Sequence, residues 1–81
     1  MVFTEVVMSD TASWITFGKD RYHQQHEITA WCKEYVGHGG WTGDMPESWE
    51  ARSWAMYGMF GNITYAFKES KHLTAFILRW S

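Results

Sequence analysis

Five side chains near the middle of the chain have the chemistry to bind a metal: His23, His26, Glu27, Cys32 and His38. His23 and His26 are three apart, and His23 and Glu27 four apart, so either pair shares a face if the segment is helical. Neutral imidazole and thiolate suit zinc. Cys32, however, falls in an apolar stripe with Ile28 and Trp31, and His23 does not. The spacing fits no established zinc pattern, so the expectation is two solvated histidines and a buried cysteine acting as a small hydrophobe. No metal or cofactor is expected.

Catalytic readings fare no better. A Cys32–His pair would need an accessible thiolate, which a core position denies. Glu47 and Glu50 flank Trp49 beside a loop and read as solvated carboxylates. Gly37-His38-Gly39-Gly40-Trp41 has the composition of a phosphate loop. Phosphate cradles precede a helix, where free N–H groups and the positive dipole end meet the anion. This run follows one, and no Lys-Ser or Lys-Thr comes after it. The chain is therefore read as non-enzymatic.

The elements that position these residues follow from periodicity. Residues 2–8 are rich in β-branched residues and read as a strand. Residues 9–19 read as irregular, broken by Gly18. Asp20 is a candidate N-cap for a helix over residues 21–36, with Ile28, Trp31, Cys32 and Tyr35 on one stripe. Gly37 is a natural C′ glycine. Residues 37–48, with four glycines and Pro46, form the longest loop. Gly61-Asn62 reads as a two-residue hairpin turn. It would pair Phe60 with Ile63, Met59 with Thr64, Tyr57 with Ala66 and Ala55 with Lys68. Trp54, Met56, Gly58 and Phe60 then share an apolar face with Ile63, Tyr65 and Phe67. Ser70 caps a last helix whose stripe is Leu73, Phe76, Ile77 and Trp80.

The resulting order is β-α-β-β-α in an α+β single domain spanning residues 1–81. It is a split βαβ pattern of ferredoxin-like type without the fourth strand. Such a sheet resembles the RNA-recognition module, whose third strand reads Gly-Phe-Gly-Phe-Val-x-Phe. The corresponding run is Gly61-Asn62-Ile63-Thr64-Tyr65-Ala66-Phe67. The core positions match, but the two base-stacking positions hold Asn62 and Thr64, and single-stranded RNA needs aromatic platforms there.

Composition narrows the remaining classes. In 81 residues, seven Lys and Arg stand against nine Asp and Glu, a formal charge of −2. That argues against a nucleic-acid surface. A hydrophobic content of 46% excludes disorder. No apolar run approaches the roughly 18–20 residues that span a bilayer, and the first residues lack the pattern of a signal peptide. The expectation is a cytoplasmic protein without membrane or nucleic-acid partners, and a lone Cys32 fits a reducing compartment.

The abnormal feature is aromatic content: six Trp, four Tyr and five Phe. The helices and hairpin can bury Trp31, Trp54, Trp80, Tyr65, Phe60, Phe67 and Phe76. Trp14, Trp41, Trp49 and Tyr57 are left over. With Met59, which shares Tyr57's face, they are the candidate partner-binding residues, since exposed Trp, Tyr and Met act as rigid interface anchors. The opposing reading is that a small domain fills its core with large side chains.

Phe60-Gly61-Asn62-Ile63-Thr64-Tyr65-Ala66-Phe67-Lys68-Glu69, followed by Phe76-Ile77-Leu78-Arg79-Trp80, resembles the ending of short accessory proteins encoded by tailed bacteriophages. Trp31-Cys32-Lys33-Glu34 with the following Gly-His-Gly-Gly-Trp run is similar to such proteins too. The resemblance implies a small phage protein in the host cytoplasm that binds and modulates a host protein, for example as an inhibitor. A self-assembling or virion-associated structural protein is the alternative, and a metal-dependent activity at the histidines a third reading.

Overall fold

A computed structural model describes residues 3–9, 12–18, 24–43, 49, 52–59 and 61–80. Its elements are β1 (Phe3–Val7), β2 (Ser13–Gly18), α1 (Gln25–Tyr35), β3 (Gly39–Trp41), β4 (Trp54–Met59), β5 (Asn62–Phe67) and α2 (Ser70–Trp80). They form a small α+β domain with a five-stranded mixed sheet in the order β1-β2-β5-β4-β3.

Two strands lie where none was expected. Residues 13–18 are not irregular: they pair along their whole length with β5, from Ser13 opposite Phe67 to Gly18 opposite Asn62. Ser13, Ile15 and Phe17 are buried, and Trp14 and Thr16 alternate with them on the other face. The period of two was hidden in the sequence because Trp14 puts a large apolar ring on the outward side. The second addition, β3, takes Gly39–Trp41 out of the expected loop and pairs it in parallel with β4.

β2 and β4 are both antiparallel to β5, which lies between them. They therefore run the same way, with α1 in the connection. That is the split βαβ arrangement, led by β2 rather than by the strand at residues 2–8. β1 instead folds back on β2 and fills the neighbouring edge, where a ferredoxin-like fold would place its fourth strand. Its register jumps from Phe3 opposite Phe17 to Glu5 opposite Thr16, a bulge at Thr4. The bulge resolves the two-sided apolar pattern of this strand. Phe3 and Val6 fall on the face of Phe17 and Ile15, and Glu5 and Val7 on the other.

The hairpin register also differs from the expected one. Met59 faces Asn62, Tyr57 faces Thr64 and Ala55 faces Ala66, so the hairpin closes at the Met59–Asn62 pair. Gly61 has φ 82°, which places the glycine second in the turn rather than first. The shift is two residues. Because side chains alternate with a period of two, every residue keeps its expected face. Phe60, expected in the core, lies outside the described residues.

Both helices cover one face. Ile28 and Cys32 of α1 and Leu73 and Phe76 of α2 join Ile15, Phe17, Trp54, Met56, Ile63, Tyr65 and Phe67 in one core. Phe76 is its hub, with ring centroids 5.5 Å from Tyr65, 5.7 Å from Phe67, 6.0 Å from Trp31 and 6.3 Å from Phe17. Gly37 ends α1 with φ 125°, its N–H donating to Cys32 O at 3.0 Å, and its own carbonyl accepts the Trp54 Nε1–H at 2.9 Å. Ser70 is the first helical residue of α2 rather than its cap. The expected cap Asp20 lies outside the described residues.

Candidate protein-binding surface

The face of the sheet opposite the two helices has two central rows. One runs Val7, Trp14, Ala66, Ala55 and Gly40; the other Glu5, Thr16, Thr64 and Tyr57. Trp14 and Tyr57, both half-buried, stand at diagonal corners, and Met59 stands opposite Asn62 in the next row. The Trp14 Nε1–H donates to Glu5 Oε1 at 2.6 Å, which pins the indole against the strand. The Thr16 and Thr64 hydroxyls bond to each other between neighbouring strands of the second row at 2.8 Å. Between the corners, Ala55 and Ala66 are fully buried and Thr64 is 8% exposed. Three of the five sequence candidates thus share this face.

Of the other two, Trp41 does not join them. Trp49 is half-buried just ahead of β4, its carbonyl accepting the Arg52 N–H at 2.9 Å. Trp41 stands opposite Met56, on the helix side of the sheet and at its far edge. It is 66% exposed. The expectation of a glycine-freed loop around it is corrected: β3 is held in register, and Thr42 N–H continues the ladder to Met56 O at 2.8 Å. Gly39 permits this. A Cβ there would fall on the Trp54 carbonyl and 2.7 Å from its indole, so only glycine lets the two strands come this close. The result is an indole on a fixed backbone, turned to solvent.

Sequence reasoning missed a further aromatic surface. Tyr35 ends the α1 stripe but is 66% exposed, and Leu78 of α2 is 80% exposed. Trp31, Tyr35 and Trp80 line a groove between the two helices together with Glu27, Glu34 and Arg79.

Of the groups considered for chemistry, Cys32 is sequestered, while His26, Glu27 and His38 are exposed. Cys32 is fully buried and its thiol is pushed up from 9.0 to about 12 by burial, so it carries no thiolate at neutral pH. Burial likewise pushes the Tyr65 phenol up to about 12, even though its hydroxyl lies 3.3 Å from Thr29 Oγ1. Among the described residues no three His, Cys, Asp or Glu side chains gather as metal ligands; His23 lies outside them. Among those residues, too, no helix is long and apolar enough to cross a membrane. Compared with protein families, curated proteins and solved structures, the chain matches none.

Proposed function

We propose that the chain is a small non-enzymatic binding protein that occupies the surface of a partner protein and so modulates it. In the phage setting its resemblance suggests, the partner is a host protein in the host cytoplasm. What carries the reading is Trp41. A tryptophan two-thirds exposed on an ordered edge strand loses little entropy when covered and offers large contact area, which is the profile of an interface anchor. Trp14 and Tyr57, half-buried on the sheet face opposite the helices, are the secondary candidates.

The test is affinity capture from bacterial lysate with the wild type and Trp41→Ala side by side, together with light scattering of each alone. A partner retained by the wild type and lost by the variant supports the reading. Concentration-dependent dimers abolished by Trp41→Ala would replace it with self-assembly. Capture or assembly indifferent to Trp41 contradicts it.

A further inference from the structure

The groove between α1 and α2 permits a statement about the partner's chemistry. Glu27, Trp31 and Glu34 recur at i, i+4 and i+7 and so lie along one face of α1. The two carboxylates are separated by about 10 Å along the axis at 1.5 Å per residue, with the indole between them. That indole is fixed from below by Phe76, which meets it edge-on at 6.0 Å, and from the side by Tyr35 at 5.5 Å. Neither Glu27 nor Glu34 has an ion pair or hydrogen bond among the described residues. Arg79 lines the same groove but does not pair with them. Its guanidinium lies over the Trp80 ring, 4.3 Å from the centroid.

We propose that this groove binds an arginine-containing basic segment of the partner, one arginine stacking on Trp31 and Tyr35 and pairing with Glu27 or Glu34. Charge selects the occupant. Among the described residues, two unpaired carboxylates against one guanidinium leave the groove negative, and the ring faces attract cations. Arginine meets both demands at once, since its planar fork pairs with a carboxylate while its plane stacks on a ring. An acidic segment is repelled. A purely apolar one would strip water from two carboxylates and give nothing back. The inference deepens the binding-protein reading and rests on it, although it uses residues other than Trp41.

The probe is an end-blocked hexa-arginine peptide titrated into the folded protein, followed by backbone-amide and indole NMR shifts. Shifts centred on Trp31, Tyr35 and Trp80 are expected. The Glu27→Gln, Glu34→Gln double variant should weaken binding at least tenfold; both sites are exposed, so folding is preserved. A Glu5→Gln, Glu69→Gln variant removes the same charge elsewhere and should change affinity less than twofold. Absent binding, shifts centred elsewhere, or equal weakening by the two double variants overturns the groove assignment. None of these outcomes touches the role of Trp41, which the capture experiment decides separately.

Discussion

Phe76 and Trp41 are both aromatic residues of one small domain, yet they occupy opposite extremes. Phe76 is fully buried and meets four other rings. Trp41 is 66% exposed and has no ring contact among the described residues. Residue type does not separate them; position does. Phe76 points from α2 onto the middle of the sheet, above β2 and β5. Trp41 sits on β3, a three-residue strand at the edge. Large rings at the centre are core, and the same rings at an edge are surface. Truncating each should therefore fail in a different assay.

The largest effect belongs to the hub. Phe76→Ala should cost about 3–5 kcal/mol, much of the stability of so small a domain. Urea denaturation of the variant measures it. A loss below about 1 kcal/mol would mean that the four surrounding rings collapse into the space.

Next comes the strand that holds Trp41. Gly39→Ala drives a Cβ into the Trp54 carbonyl and indole, and should cost about 1–3 kcal/mol as an overpacking substitution. Gly40→Ala has nothing within 4 Å of its Cβ and should be nearly neutral. Equal midpoints for the two variants would show that β3 does not lie against Trp54.

These two regions were unequally legible in the sequence. The helix-face residues of β4, β5 and both helices could be read because their spacing repeats at periods of two and 3.6. They survived a two-residue register error because faces depend only on parity. β2 was not legible, since Trp14 masked its alternation. Nor was β3: its glycines signal a loop locally, and the actual role of Gly39, close approach to Trp54, depends on a strand 15 residues away. The same limit applies to the candidate site. Trp41, Tyr57, Met59, Trp14 and Trp49 were identifiable as surplus aromatics, but only the sheet register separates Trp41 from the residues on the outer face. The groove of Trp31, Tyr35 and Trp80 needs the packing of two helices and could not be read from either alone.

A smaller effect tests the burial of the core's titratable groups. The Cys32 thiol and the Tyr65 phenol are both pushed up to about 12 by burial, from 9.0 and 10.0. The unfolded chain therefore releases these protons first. Stability from both groups is fully present below pH 9 and falls as pH rises towards 12. Urea midpoints should decline over that interval. A thiol reagent at pH 8 should modify Cys32 only as fast as the fold opens. Rapid labelling of the native protein would place Cys32 at the surface.

A small stability change is expected at Trp41, and there the central claim is most exposed. Trp41→Ala should shift the denaturation midpoint by no more than about 0.5 kcal/mol, as for a surface substitution. The same substitution should weaken association with the captured partner by about 2 kcal/mol or more. Stability and partner affinity measured on this one variant decide the matter. Preserved folding with lost binding is the predicted result, and a sharp loss of stability with binding per folded molecule unchanged would contradict it.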